Sequence, residues 1–232
     1  MNADTVRRLD ALNRAFYAAV ADDFDTTRSR PWPGWAQLLP HLTAPLRVLD
    51  VGCGNGRFGL FLSQHLGPDV VYHGIDTSPA LLARARAVLP GALLEERDAL
   101  ADLPGESYNL AALFGVLHHV PGAARREGLL RALAARITPG GQLAFSCWRF
   151  HEYERFRQRC APWPAGWDRE TGDYLLDWRQ GTRALRYCHY VDDAEHAALV
   201  AATGLDEVLT FRADGADGAF NCYSLLRRPP DP

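Results

Sequence analysis

The stretch from residue 46 to 59, LRVLDVGCGNGRFG, combines residue types that suit the binding of a polar ligand. A carboxylate, Asp50, is followed by three glycines, Gly52, Gly54 and Gly56. Glycine adopts the positive φ angles of tight turns and has no Cβ to block a ligand lying against the main chain. The apolar residues that follow have helical spacing, and a helix N-terminus offers free N–H groups to a carboxylate or phosphate.

A second carboxylate, Asp76, ends the apolar run 70–76, which is typical of a buried strand. This position suits hydrogen bonds to the two hydroxyls of a ribose. The glycine spacing differs from the G-x-G-x-x-G of dinucleotide-binding loops, and Asp50 would repel a pyrophosphate. A nicotinamide-binding domain and a glycine-rich turn without a ligand remain the alternatives on these residues alone.

The elements that position these loops alternate between short apolar strands and amphipathic helices. We predict strands at 46–51, 70–76, 92–96, 108–114, 142–148, 207–212 and 219–226, and helices at 4–24, 33–43, 79–89, 122–136 and 192–202. This alternation predicts an α/β protein with a doubly wound sheet, in which ligands bind outside the carboxyl ends of the strands.

Length and composition indicate one domain spanning 1–232. We divide it into an N-terminal helical cover (1–43), a core (44–148), an insert (149–190), and the last helix and strands (191–228). The five cysteines form no C-x-x-C pair, which favours reduced thiols in a cytoplasmic protein and argues against structural zinc. No apolar run reaches the ~20 residues of a membrane span, and the net charge of −3 gives no global attraction to nucleic acid.

The insert 149–190 is rich in aromatic residues and holds eight arginines against six acidic residues, a local net charge of +2. Aromatic side chains interleaved with arginines can stack on bases and hold phosphates. The same composition also suits a small lid with its own apolar core and surface ion pairs.

Two adjacent histidines, His118 and His119, lie in the loop after the fourth predicted strand. That loop opens toward the ligand site in a doubly wound sheet. Adjacent side chains diverge, so we expect one histidine to contact a substrate while the other packs. We predict no metal site, because no further ligands stand near them in the sequence.

The motifs DVGCGNG and GIDTSP resemble motif I and the acidic ribose-binding step of the class I S-adenosylmethionine (SAM) methyltransferases. The resemblance implies a Rossmann-like seven-stranded sheet, mostly parallel with an antiparallel last strand. It also implies SAM as the cofactor. The residues at the matching positions are Asp50, Gly52, Gly54, Asn55, Gly56, Asp76, Thr77, Asp98 and Ala99.

Further segments resemble the tRNA wobble-uridine carboxymethyl methyltransferases, which esterify a carboxylate of the anticodon loop. They are FDTTRSRPWP (24–33), VLHH (116–119), the stretch 124–148, GDYLLDW (172–178) and RYCHYVDDAEHAALV (186–200). The resemblance implies catalytic roles for Arg28, His118 and Arg186. It implies substrate contacts for Trp32, His119, Trp148, Tyr187 and His189.

This resemblance leaves two other functions open. Eukaryotic members work with a small activator protein that covers a sheet edge, and a pI of about 6.2 is low for autonomous tRNA binding. A small-molecule carboxylate or hydroxyl O-methyltransferase, with 149–190 as an apolar lid, is the second hypothesis. A SAM-binding partner protein without catalysis is the third.

Overall fold

The computed structural model describes residues 1–26, 30–178 and 184–231. Its strands are β1 (Leu46–Val51), β2 (Val70–Asp76), β3 (Leu93–Glu96), β4 (Tyr108–Leu113), β5 (Ile137–Trp148), β6 (Cys160–Ala161), β7 (Asp173–Trp178), β8 (Ala184–His189), β9 (Asp206–Ala213) and β10 (Asn221–Arg227). Its helices are α1 (Ala3–Thr26), α2 (Pro33–Ala36), α3 (Arg57–Leu66), α4 (Pro79–Val88), α5 (Ala123–Ala134), α6 (Glu154–Arg157) and α7 (Asp193–Thr203).

Seven strands form the main sheet in the order β3-β2-β1-β4-β5-β10-β9. The neighbours from β3 to β5 are parallel, whereas β10 is antiparallel to both β5 and β9. This order confirms the predicted sheet with its antiparallel last strand. The order reverses next to β1, so the loops after β1 and β4 diverge there and leave a crevice for a ligand.

Helices cover both faces of the sheet, which explains why β1 is apolar almost throughout. The leucines of α5 and α7 pack on one face against residues of β4 and β5. Side chains of α2, α3 and α4 pack on the other face, with Trp35, Phe58 and Phe61 at its centre. The strand ends, rather than either face, are therefore where a ligand can enter.

Two predicted elements differ from the structure. The helix expected at 33–43 is one α-helical turn, α2, followed by a 3₁₀ turn at Leu39–His41. Pro40 has no N–H to continue an α-helix, which accounts for the break. Strand β5 begins at Ile137 rather than at 142, because Gly140 and Gly141 exchange backbone hydrogen bonds with Arg228, directly after β10.

The insert contains a second, three-stranded antiparallel sheet in the order β6-β7-β8, which the sequence did not predict. The register of β7 and β8 runs from Asp173 opposite His189 to Trp178 opposite Ala184. Helix α1 packs against β8, so the N-terminal helix and the insert form one continuous layer beside the strand ends. No helix in the described ranges is both long and apolar enough to span a membrane.

Candidate functional site

The loop after β1 is a cradle built from glycine backbone. Gly52, Gly54 and Gly56 have φ angles of +70°, +55° and +79°, which L side chains rarely adopt. A Cβ on Gly52 would also lie 2.2 Å from Cγ2 of Val116, in the loop after β4. The two loops therefore approach closely only because this residue has no side chain.

Asp76, at the end of β2, is fixed by backbone donors from two loops. Its Oδ2 accepts a hydrogen bond from the Gly54 N–H at 2.8 Å, and its Oδ1 accepts one from the Ser78 N–H at 2.8 Å. Burial raises the pKa of Asp76, while these N–H groups act in the opposite direction. The carboxylate is thus oriented by the chain before any ligand binds.

Asp50, the last acidic residue before the glycines, is 3% exposed and accepts a hydrogen bond from the Tyr72 hydroxyl. Burial raises the pKa of Asp50 to about 7, although the Tyr72 hydroxyl lowers it. A cationic ligand beside Asp50 would favour its ionised form.

A cavity lies outside the carboxyl ends of β1, β2 and β4. Eight of the nine residues predicted to bind the cofactor line it: Asp50, Gly52, Gly54, Asn55, Asp76, Thr77, Asp98 and Ala99. The glycine cradle and the preoriented Asp76 fit the amino-acid and ribose parts of SAM. Gly56 is placed differently from its prediction. It precedes α3, and a Cβ there would lie 3.1 Å from the Cβ of Ala85.

One face of α1 supplies polar side chains to the same cavity. Asp10, Asn13, Arg14 and Tyr17 line it at the i, i+3, i+4, i+7 spacing of a helical face. The sequence did not indicate that this face meets a ligand site, because the side of an amphipathic helix that lines a cavity depends on its packing. Asp10 is paired with Arg125 at 2.9 Å, whereas the Arg14 side chain forms no hydrogen bond or ion pair with a residue in the described ranges.

Among the aromatic residues, Trp32 lines the cavity as a substrate contact would. Its ring stacks on Trp35 at 5.5 Å, and the guanidinium of Arg57 lies 5.6 Å from the centre of each ring. A Cβ on Gly115 would be 3.0 Å from the Trp32 ring. The segment before α2 therefore packs directly over the loop after β4.

Of the two histidines, His119 lines the cavity, while His118 is 5% exposed and lies behind it. Nε2 of His119 is 2.7 Å from the Tyr17 hydroxyl, and Nδ1 is 2.9 Å from the Tyr187 carbonyl oxygen. The structure adds Cys188 to the pair, with one ligand atom of each residue within 4.8 Å of the others. Because both nitrogens of His119 already form hydrogen bonds, this trio is a poor set of metal ligands.

Arg186 occupies an aromatic box in the layer behind His118. Its guanidinium carbon lies 4.9 Å from the Trp148 ring, 5.2 Å from Phe16 and 5.5 Å from Trp178. The Arg186 side chain is 5% exposed and forms no hydrogen bond or ion pair with any residue that the structure describes. The buried Nε1–H of Trp148 likewise has no acceptor within the described chain. The Arg186 guanidinium thus lies against the Trp148 ring, and no carboxylate in the described ranges pairs with it.

Tyr187 and His189, which the family resemblance implies as substrate contacts, do not line the cavity. The Tyr187 hydroxyl donates to Asp173 at 2.7 Å, and His189 donates to Asp173 at 2.7 Å and to Glu195 at 2.6 Å. These polar groups are buried on the side of β8 that faces α5 and α7. Strand alternation accounts for this placement, because residues 187 and 189 share a face opposite to that of Arg186. Arg28 lies outside the described residues.

Comparison with known proteins supports the same type of site. A family model described as a methyltransferase domain matches residues 49–143. The chain is 32% identical over 138 residues to the tRNA (carboxymethyluridine(34)-5-O)-methyltransferase of Saccharomyces cerevisiae, covering 59% of this chain and 47% of that protein. It is 38% identical over 130 residues to trans-aconitate 2-methyltransferase of Methylobacterium nodulans, covering 56% and 47%. The chain thus spans about half the length of these two relatives.

A relative of similar size extends the match. The chain is 30% identical over 177 residues to a putative methyltransferase of Encephalitozoon cuniculi, covering 75% of this chain and 77% of that protein. A SAM-dependent methyltransferase structure from Methanosarcina mazei shares the fold, with a TM-score of 0.69, 16% identity, and 87% and 99% coverage. From the glycine cradle, the sheet order and these matches together, we conclude that the chain belongs to the class I SAM-dependent methyltransferase family.

Proposed function

We propose that this protein transfers the methyl group of SAM to a carboxylate oxygen of its acceptor, giving a methyl ester. The first candidate acceptor is a 5-carboxymethyl uridine at the wobble position of tRNA. The second candidate is a small polycarboxylic acid. Both acceptors present the same reacting group, a carboxylate. We therefore propose first that a carboxylate is methylated, and second which molecule carries that carboxylate.

The observation that carries the proposal is that Arg186 is buried among aromatic rings and pairs with no carboxylate in the part of the chain that the structure describes. A guanidinium removed from water without an anion costs several kcal/mol, and side chains of this kind are normally paired. A carboxylate can accept two parallel N–H donors from one arginine and a further one from an indole N–H. Arg186 and Trp148 together offer these donors in the layer next to the histidine loop.

The names of two groups of relatives support the same chemistry. Carboxymethyluridine and trans-aconitate, the acceptors in those names, are different in size but both are carboxylates. The chain is 32% identical to the first of these relatives and 38% identical to the second in the matched regions. The carboxylate that the two acceptors share is therefore the group that we propose this chain methylates.

The chain's own residues have two tasks in this reaction. When bound, SAM supplies a methyl group on a positively charged sulfur, which a carboxylate can attack without a strong base because it is already ionised at pH 7. Asp50, Asp76 and the glycine cradle would hold the cofactor, and Trp32 and His119 would shape the acceptor side of the cavity. Arg186, His118 and Trp148 do not line this cavity. We propose that they attract and align the carboxylate from the layer behind His119, so that catalysis rests on positioning.

The surface of the insert favours tRNA over a small acid as the molecule that carries the carboxylate. Arg155 stacks on Phe156 at 5.0 Å, and Arg169 stacks on Trp163 at 5.4 Å. Both arginines are exposed, and stacked arginine–aromatic pairs are typical of surfaces that hold single-stranded bases and phosphates. A small acid needs no such surface outside the cavity.

The test uses SAM with a radiolabelled methyl group, purified protein, and two acceptors: tRNA carrying 5-carboxymethyl uridine, and trans-aconitate. Label in tRNA that mild base removes would support the wobble-uridine acceptor, since methyl esters are base-labile. Base-labile label in trans-aconitate alone would support the small acid. Transfer only to a base-stable position, or no transfer to any acceptor despite SAM binding, would overturn the carboxylate proposal.

The contribution of Arg186 is tested with Arg186→Met, which keeps the apolar contacts of the box but removes the charge. We expect a loss of at least a hundredfold in kcat/KM with little change in SAM affinity. The matched control is Arg47→Met. Arg47 also stacks on an aromatic ring, that of Tyr108 at 5.3 Å, but it lies at the amino end of β1, away from the carboxyl ends of the strands. Equal activities of the two variants would remove Arg186 from the proposal.

An activator protein, as the family resemblance implies, would cover the outer edge of the sheet. Strand β3 forms that edge, and the Val71 and Leu93 side chains nearby are 63% and 53% exposed. Repeating the assay with and without cell extract examines this prediction. A strong gain in transfer with extract would support an activator, and equal rates would contradict it.

A further inference from the structure

Helix α1 is held beside the cavity by buried residues. Phe16 is 1% exposed, and Asn13 is 7% exposed. The Asn13 Oδ1 accepts a hydrogen bond from the Tyr187 N–H at 2.8 Å, and its Nδ2 lies 3.2 Å from the His119 carbonyl oxygen. These contacts fix the rotation of α1, so they also decide that Arg14 is on the face that lines the cavity.

Arg14 is a cation without a partner on its own helix. An aspartate four residues before an arginine often pairs with it on a helix surface. Asp10 is instead engaged by Arg125 of α5, through hydrogen bonds of 2.9 and 3.2 Å. The Arg14 side chain is exposed, lines the cavity, and forms no hydrogen bond or ion pair with a residue in the described ranges. Its charge is therefore available to a ligand.

The remaining carboxylates that line the described part of the cavity have other donors. Asp76 accepts hydrogen bonds from two backbone N–H groups, Asp98 from one, and Asp50 from the Tyr72 hydroxyl. SAM brings a further positive charge, because its sulfonium and ammonium groups outnumber its single carboxylate. Two cations in one cavity repel each other, so the complex with SAM favours an acceptor that brings negative charge to Arg14.

We propose that Arg14 is an acceptor-binding residue that recognises a second anion of the acceptor, one that is not methylated. The inference rests on the proposed methylation of a carboxylate and adds a requirement for the rest of the acceptor. In a wobble uridine the second anion is a flanking phosphodiester, and in a polycarboxylic acid it is another carboxylate. A guanidinium suits both, because its parallel N–H groups match two oxygens of a phosphate or a carboxylate.

The different burial of Arg14 and Arg186 assigns them to different anions. Arg186 is 5% exposed among aromatic rings, whereas Arg14 is exposed. The carboxylate that meets the methyl group must leave water, while a group bound by Arg14 can stay at the rim of the cavity. An acceptor with a single carboxylate therefore satisfies the reacting position but leaves Arg14 without a partner.

The test removes the second anion and the arginine separately and together. The RNA arm uses an anticodon stem-loop carrying 5-carboxymethyluridine, and two stem-loops in which a neutral methylphosphonate replaces the phosphate on one side or the other of that nucleotide. The small-acid arm compares trans-aconitate with crotonate, which has a single carboxylate. Methyl transfer from SAM gives kcat and KM separately for wild type and Arg14→Gln.

In the arm that wild type methylates, removal of the second anion should raise KM about 10- to 100-fold, as expected for one lost charged hydrogen bond, with kcat within about threefold. Arg14→Gln should show the same rise with the complete acceptor and little further rise with the acceptor that lacks the second anion. This non-additivity is the mark of a direct contact. S-adenosylhomocysteine affinity in calorimetry should stay within about threefold.

Arg7→Gln is the matched control. Arg7 lies on the same helix, its side chain is 71% exposed, and it bonds Asp4 at 3.2 Å, but it does not line the cavity. Its KM for each acceptor should equal that of wild type.

The outcomes distinguish this inference from the proposed function. Coupling of Arg14 to a phosphodiester would support the inference with an RNA acceptor, and coupling to a carboxylate would support it with a small acid. Equal KM ratios in wild type and Arg14→Gln would overturn the inference and leave the methylation of a carboxylate standing. Loss of S-adenosylhomocysteine binding in Arg14→Gln would also overturn it, by assigning Arg14 to the cofactor. Absence of esterification in both arms would overturn the two together.

Discussion

Arg126 on α5 offers the sharpest test of how the fold is held together around the site. Its side chain is 1% exposed, and Nε donates to Glu195 at 2.8 Å while Nη2 contacts Glu170 at 3.1 Å. Nη1 donates to the Val120 carbonyl at 3.1 Å. One guanidinium thus joins α7, the insert and the end of the histidine loop.

Arg126→Met keeps the length of the side chain but leaves two carboxylates beside each other without their cation. Removing one partner of a buried ion pair costs about 3–5 kcal/mol. His189 also contacts Glu195, so we expect the lower half of this range. For a chain of this size each kcal/mol corresponds to about 2–4 °C in Tm, which gives a decrease of roughly 6–16 °C.

The measurement is urea unfolding followed by circular dichroism and tryptophan fluorescence, with Tm as a second readout. Arg131→Met is the matched control, because Arg131 lies on the same helix and bonds Glu127 at 2.7 Å, but the two side chains are 56% and 35% exposed. Its effect should stay within about 0.5 kcal/mol. Arg126→Met with a free energy of unfolding within about 1 kcal/mol of wild type would refute the reasoning, provided that the m-values agree.

Three further predictions concern the cofactor loop and the buried network. Gly52→Ala should weaken S-adenosylhomocysteine binding at least tenfold in calorimetry, because Gly52 has a φ of +70° and its added Cβ would lie 2.2 Å from Cγ2 of Val116. Gly91→Ala is the control and should bind normally, since a Cβ there would meet no atom within 4 Å. Burial raises the pKa of Asp50 from 3.8 to about 7, so folding stability falls as pH rises between these values; Asp50→Asn should flatten this slope in urea unfolding from pH 4 to 8. Burial lowers the pKa of His189, but its hydrogen bonds to Asp173 and Glu195 raise the pKa overall. The protonated ring therefore stabilises the fold fully below about pH 6.5, and this stabilisation fades as the pH rises through the raised pKa. His189→Gln should lose more free energy of unfolding at pH 6 than at pH 9, and an equal loss at both pH values would contradict this sign.

The cofactor side of the site could be predicted from the sequence because its signals are local. Asp50 and the glycines are within seven residues of one another, and Asp76 ends the next strand. Consecutive parallel strands of a doubly wound sheet end at the same edge, so their order in the chain places their ends together. Gly56 shows the limit of this reasoning, since it sits in the motif but serves the packing of α3 against α4.

The acceptor side depends on contacts between residues far apart in the chain. Tyr17 meets His119 across 102 residues, and Arg126 meets Glu195 across 69. The sequence also did not indicate which β8 residues point toward the histidine loop, because a strand without a known register can turn either face inward. Arg186 and His189, three residues apart, therefore have different surroundings that the sequence could not distinguish.

The sequence by itself thus determined the fold class, the glycine cradle and the acidic residues that approach a SAM molecule, because strand length, glycine and chain order act locally. Only the tertiary structure decided that α1 turns a polar face to the cavity and that Arg186 is buried among aromatic rings, with no carboxylate beside it among the described residues. It also placed His189 with carboxylates instead of a substrate. These features arise from packing α1 and the insert beside the sheet, and packing between distant segments is not encoded in local spacing.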